Sequence, residues 1–156
     1  MGARIDGLLH TLRWLPYTVI IVALIQVAVW AADRTPPFKV IKGTIIPPTV
    51  AGGVLRIEGQ VIRDVSRSCN LFVTQWVEDS VGFRHYLASV EMQAESIRKL
   101  EEISPGVTRY APALPPGIPA GPATYHAESQ YTCNPVHVAF PIVVLTRIPF
   151  VIEAKQ

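Results

Sequence analysis

The strongest hydrophobic pattern in the chain is a run without any charged residue, from Trp14 to Ala32. About 20 apolar residues in a helix are enough to cross the hydrocarbon core of a bilayer. Trp14 and Tyr17 lie near one end of the run and Trp30 lies near the other, where aromatic rings favour the headgroup layer. We therefore predict a single transmembrane helix at residues 14–32 that anchors the protein in a lipid bilayer.

The charges before this helix predict its orientation. Arg4 and Arg13 precede the apolar run, and basic residues favour the cytoplasmic side of a membrane. Residues 1–13 are then a short cytoplasmic or interfacial segment. Residues 33–37 form a linker stiffened by two prolines, and residues 38–156 form a domain on the periplasmic or extracellular side. The predicted product is a single-pass membrane protein of signal-anchor type.

A cleaved signal peptide is the alternative to an anchor. Val29 and Ala31 are small enough for the two key positions before a cut, and the apolar core is not unusually long for a signal sequence. Trp30 at the middle position, the absence of an A-x-A pattern and the long lead before the run argue against cleavage. A third alternative is a helix buried inside a globular domain.

Downstream of the linker, apolar residues recur with the period of two that is typical of β-strands. Leu55, Ile57 and Val61 share one face of the segment at 54–64, and Gly59 is a candidate for a bulge. The segment at 69–78 is apolar on both faces, which predicts a central strand. The predicted strands are residues 38–46, 54–64, 69–78, 83–92, 123–133 and 137–154, the last interrupted by Pro141 and Pro149 as in an edge strand.

Two segments depart from the strand pattern. Residues 93–103 are charged, and Ile97, Leu100 and Ile103 recur every third residue, which predicts a short helix lying on the sheets, with an edge strand as the alternative. Residues 104–122 carry six prolines and predict a long surface loop with polyproline II character. The chain has 14 prolines in all, and helix interiors exclude proline. We therefore predict an all-β domain built as an antiparallel two-sheet sandwich.

The chain has two cysteines, Cys69 and Cys133, both in predicted strands beyond the helix. In an oxidising compartment such a pair usually forms a disulfide, here one that ties two strands across the core. The alternatives are two buried free thiols, or a redox or metal-binding pair. Tyr131 stands two residues before Cys133, and Trp76 lies between the cysteines. This spacing resembles the tyrosine corner of an immunoglobulin-like sandwich, although Trp76 follows Cys69 too closely for the usual core tryptophan.

The sequence shows no pattern of a catalytic site. His85, His126 and His137 each fall in a different predicted strand, and no spacing typical of a metal site, a nucleophile elbow or a phosphate-binding loop is present. We therefore predict no enzyme activity, no cofactor and no metal. The net charge of +2 is spread without a basic cluster, so a nucleic-acid partner is not expected.

The expected function is that of a non-catalytic interaction or assembly module, held outside the cytoplasm by its anchor. A bacterial or phage envelope is one setting that fits, with a protein partner in the membrane or envelope or a second copy of the chain. The predicted partner surface is the proline-rich loop, through Tyr110, Leu114, Pro115, Pro116 and Ile118. The same loop packing on its own domain is the alternative. The alternative functions are that of a secreted binding protein released by signal cleavage and, less favoured, that of a hydrolase.

Overall fold

A computed structural model describes the backbone of residues 3–154 and the side chains of residues 14–154. Helix α1 runs without a break from Ala3 to Ala32, with Pro16 inside it. Its segment Trp14–Ala32 is the one helix in the described part of the chain that is long and apolar enough to cross a membrane, and none of its most apolar window is buried. A buried core helix is therefore not what the structure shows, whereas a signal sequence would meet the same test of length and composition.

The remainder folds into two antiparallel sheets. One has three strands in the order β1-β2-β6. In the other, β3 pairs with both β4 and β5 on one side and with β7 on the other, and β8 lies beyond β7. The elements after α1 are β1 (Phe38–Ile46), β2 (Arg56–Arg63), β3 (Asn70–Glu78), β4 (Arg84–Tyr86), β5 (Val90–Met92), α2 (Ala94–Ile103), β6 (Val107–Tyr110), β7 (Gly121–Thr132), α3 (Pro135–Ala139) and β8 (Ile142–Ile152).

Side chains of both sheets meet in a shared hydrophobic core. In β2 the alternation predicted from the sequence holds, so Ile57, Val61 and Arg63 point inward and Ile62 points to solvent. Ile57 packs in one cluster with Val77 of β3, Tyr125 of β7 and other residues of the larger sheet. The structure thus confirms the prediction of two antiparallel sheets that follow an apolar helix.

Three details of the sequence prediction are wrong. The irregularity in the first pair of strands lies in β1, between Val40 and Lys42, and not at Gly59. The proline-rich segment contains strand β6, which pairs with β2 alone and so needs hydrogen bonds on one edge only. The stretch at 137–154 begins with helix α3 before it becomes β8. β8 itself is an edge strand, as its prolines predicted.

The features that resemble an immunoglobulin domain take a different form here. Cys69 and Cys133 are bonded, but they flank β3 and β7, which are neighbours in one sheet, so the disulfide does not cross the core as predicted. The hydroxyl of Tyr131 lies 3.3 Å from the carbonyl oxygen of Phe38 in the other sheet. A tyrosine corner instead bonds to backbone a few residues upstream.

Candidate functional site

The predicted partner loop is largely part of the core. Leu114 and Ile118 are each 3% exposed and pack in the main hydrophobic cluster, and Tyr110 belongs to β6 and is half-buried against the same cluster. The backbone of Leu114 donates to the carbonyl of Gly53, which holds the segment against the turn before β2. Among the five residues named from the sequence, Pro116 is exposed and Pro115 is half-buried. The burial of Leu114 and Ile118 fits the alternative in which the loop packs on its own domain, and their contact with a partner stays an untested prediction.

A second group of residues joins the end of α1 to the β domain; we call it the junction. Its first member is Asn134. The side-chain oxygen of Asn134 accepts from the backbone N–H groups of Val136 and His137, so this residue caps α3. Its amide nitrogen lies 3.4 Å from the carbonyl oxygen of Trp30 in the last turn of α1. The last four carbonyls of a helix have no partner within the helix, so this contact satisfies one of them from outside.

His137 is the second member of the junction and is fully buried. Its Nε2 lies 2.9 Å from the carbonyl oxygen of Asp33, and its Nδ1 accepts from the backbone N–H of Cys133 at 3.4 Å. The Nε2 atom also lies 3.3 Å from the side-chain nitrogen of Asn134. The imidazole therefore bridges the residue after α1 and the residue that forms the disulfide.

Arg67 completes the junction from the loop before β3. Its guanidinium forms an ion pair with Asp33 and donates to the carbonyl of Thr35 at 2.5 Å. Pro37 is buried, and its carbonyl accepts from the backbone N–H of Asp64 at 2.7 Å. The linker at 33–37 is thus bonded to the domain along its length.

Beside the junction lies a band of exposed apolar side chains, which we call the outer patch. Val138 and Phe140, in and just after α3, are 74% and 63% exposed, and the side chain of Arg34 donates to the carbonyl of Phe140. The band continues on the outer face of the larger sheet, where Val143 of β8 and Phe72 of β3 both flank Gln130 in register. Its members are Phe72, Val138, Phe140, Val143 and Leu145.

Farther along the same outer face, four side chains form a row across the sheet. Trp76 pairs with Tyr86 on one side and with His126 on the other, and Arg147 lies beyond His126. The rings of Trp76 and His126 are stacked, with centroids 5.0 Å apart. His126 is buried, which lowers the pKa of its imidazole; Glu78 opposes this effect, and Arg147 adds to it.

Between the two sheets lies a cavity of about 260 Å³. The buried side chains form two clusters, and members of both line this space, including Ile57 and Ile148 of one cluster and Leu71 of the other. Small residues line the cavity on both sheets. Gly43, Gly59 and Thr108 lie side by side in the smaller sheet, and Ala127 and Thr146 lie side by side in the larger one.

The titratable groups of the described region do not form a metal-binding cluster. No group of three or more metal-ligating side chains occurs among the described residues. His85 contacts Asp79 at 2.9 Å, and this bond, with the backbone N–H groups of Phe83 and Val81, holds the pKa of Asp79 below its usual range. The Asp79 carboxylate therefore organises the turn between β3 and β4.

Sequence reasoning missed the junction, although part of its signal was present. Asn134 followed by Pro135 is a typical helix start, with a capping side chain and then a residue whose missing N–H costs nothing at the first helical position. The apolar residues after it instead predict a strand from residue 137. The contacts from Asn134 and His137 to α1 span about 100 residues of sequence, and no local pattern predicts them.

No protein-family model and no curated protein sequence matches the chain.

Proposed function

We propose that the protein is a non-catalytic, membrane-anchored interaction module. Helix α1 spans the bilayer, with the N-terminus in the cytoplasm, and carries the β domain at a fixed height and orientation on the periplasmic or extracellular surface. The observation that carries this proposal is the junction. Asn134, His137 and Arg67 bind the last turn of α1 and the linker, so the end of the helix is joined to the domain by side-chain contacts.

The junction also argues against the secreted alternative. A signal peptidase cut near Ala31 would remove the carbonyl of Trp30, to which Asn134 donates, and would leave a new N-terminus beside the buried His137. The apolar side chains of α1 are exposed from residue 14 to residue 29, and the bilayer supplies the environment that such a surface needs. Retention of the helix therefore fits the contacts better than its removal.

The outer patch is the surface that best fits a partner. Exposed apolar side chains in a continuous band mark interaction sites, and this band begins at the end of the span and rises along the sheet. Beyond it lie Tyr86, Trp76 and Arg147, residue types that are enriched in the cores of interfaces. Because the band starts at the bilayer, its proposed occupant is another membrane-anchored protein in the same membrane.

The anchor is tested first. The full-length protein should remain in the membrane pellet after carbonate extraction, and a phosphatase fused after Gln156 should be active in a bacterial host. Release of a soluble form with a new N-terminus near Ala32 would support the secreted alternative instead. Activity of a cytoplasmic reporter alone at the same position would reverse the topology.

The partner surface is tested separately by photocrosslinking in cells. A photoreactive residue at Val143, in the outer patch, should capture a protein that has its own membrane span. The matched control is Ile62, which is similarly exposed, at 58% against 53%, but lies on the outer face of the smaller sheet. A product of twice the chain's mass would identify a second copy as the occupant. Equal capture from both positions would overturn the assignment of the surface.

A further inference from the structure

The cavity between the sheets has the size and lining of a ligand site. Its volume of about 260 Å³ exceeds the ~150 Å³ of an apolar cavity that holds benzene, so it has room for a molecule of roughly ten non-hydrogen atoms. The walls are mainly aliphatic and aromatic, with Val73, Met92, Leu100 and Tyr125 among them. Apolar walls favour an apolar occupant over water, which needs two to four polar partners.

The register of the sheets builds this space into the fold. Gly43 pairs with Gly59, and Gly59 pairs with Thr108, which removes large side chains from one wall. In the opposite sheet, Ala127 and Thr146 are neighbours in the same row. At Gly43 a Cβ atom would lie 2.5 Å from the Cδ1 of Ile148, so the end of the Ile148 side chain lies directly against this glycine.

One polar group lines the cavity with an unused hydrogen-bond donor. The side chain of Arg63 is 1% exposed. Its terminal nitrogens contact Glu101 and the carbonyls of Ser104 and Val107, whereas its Nε has no partner among the described residues. A buried donor of this kind calls for an acceptor. Because Glu101 already balances the guanidinium charge, an uncharged oxygen suits the position better than a second carboxylate.

The cavity is also covered by an element that can move without unpacking the core. Helix α2 contributes Ile97 and Leu100 to the lining, yet none of its ten residues is buried. Segments with few buried apolar contacts open at low free-energy cost. Access under α2 therefore requires that the ion pair between its Glu101 and Arg63 breaks, but it requires no separation of the two sheets.

We propose that the cavity binds an uncharged single-chain amphiphile, with an alkyl portion among the aliphatic walls and a hydroxyl or carbonyl oxygen at the Nε of Arg63. The expected size is that of a medium-chain alcohol such as 1-nonanol. This site is independent of the partner surface on the outer patch and does not rest on the proposed membrane function.

The test uses the full-length protein in nanodiscs made of a lipid with long acyl chains. The probe is a medium-chain alcohol that carries a diazirine, and the labelled peptides are mapped by mass spectrometry. Labelling of β2, β3 and β7 peptides should be saturable and should fall at least five-fold when 1-nonanol is added. A trimethylammonium of equal chain length should compete at least ten-fold less well.

Two variants localise the labelling. In Ala127→Leu the larger side chain fills the cavity, and labelling of the domain should fall at least five-fold. Glu128→Leu, the next residue on the same strand, faces the opposite side of the sheet and should leave labelling unchanged. Labelling of α1 reports the lipid-dissolved probe in every sample. Domain labelling that 1-nonanol does not displace, or that is equal in both variants, would overturn the proposal, and the competition series decides it even if Ala127→Leu does not fold.

Discussion

The imidazole of His137 lies 2.9 Å from the carbonyl oxygen of Asp33, the first residue after the apolar helix. The two residues are 104 positions apart in the sequence. Through this contact the segment that follows β7 supports the end of α1. The orientation of the β domain relative to the helix thus depends on a few hydrogen bonds that can be removed one at a time.

The first prediction concerns Asn134. Asn134→Ala removes both the cap of α3 and the contact with Trp30, and loss of a helix cap typically costs about 1 kcal/mol of stability. Asn134→Asp keeps the capping oxygen but removes the amide donor. We expect tryptic cleavage after Arg34 to become faster in both variants, while the melting temperature falls clearly in Asn134→Ala alone. Cleavage at the wild-type rate in Asn134→Asp would show that the contact with Trp30 does not hold the junction.

The second prediction concerns the disulfide. The bond closes a loop with a sequence separation of 64 residues, and the chain-entropy relation gives a stabilisation of about 4 kcal/mol for a loop of that size. Replacing both Cys69 and Cys133 with alanine should lower the free energy of unfolding by roughly that amount, measured by denaturant unfolding in detergent. Reductant should destabilise the wild type and leave the double variant unchanged. Free thiols that alkylate without prior reduction would contradict the bonded state.

The third prediction concerns pH. Burial lowers the pKa of His126 in the folded protein, so the unfolded chain binds more protons near pH 6 than the folded one. Stability should therefore fall as the pH drops below about 6.5, the ordinary pKa of histidine. The difference in melting temperature between wild type and His126→Gln should shrink, or turn against the wild type, from pH 7.5 to pH 5. A constant difference in melting temperature across that range would mean that folding does not lower the pKa of His126.

The fourth prediction concerns the proline-rich segment. Leu114→Ala removes a side chain that is 3% exposed in the main cluster, and truncations of buried leucine cost about 2–5 kcal/mol. Pro116→Ala, two residues farther along, alters an exposed side chain and should change stability by less than about 0.5 kcal/mol. Thermal unfolding of both variants under the same conditions provides the comparison. Similar melting temperatures for Leu114→Ala and the wild type would contradict this packing and would make the proline-rich segment a candidate partner surface again.

Local patterns in the sequence predict several elements well, because apolar residues recur there at the spacing of a strand or a helix. Strand β1 has the bounds predicted from its apolar residues, and α2 begins one residue after its prediction. The structure of the proline-rich segment is harder to predict. Its proline content argues against a helix or an inner strand, but it does not show which side chains are buried. Leu114 and Ile118 pack in the core through contacts with distant residues, which their own neighbourhood does not encode.

The candidate sites depend even more on long-range pairing. Cys69 and Cys133 were correctly paired, yet their placement in one sheet follows from the register of Asn70 with Thr132. Likewise, Gly43 and Gly59 fall in two different predicted strands, and nothing in the sequence links them. They form one wall of the cavity because β1 and β2 pair in a register that aligns them.

The bonded linker has a mechanical consequence for the domain. With α1 spanning a bilayer, as we propose, a flexible linker would let the domain take many heights and orientations above the lipid, whereas the bonded linker would hold it at one height. The main motions of such an anchored protein would be lateral diffusion and rotation about the helix axis, so each surface residue would stay at a constant distance from the lipid. Encounters with other anchored proteins would then be restricted to two dimensions, and partners whose binding surfaces lie at the same distance from the lipid would be favoured.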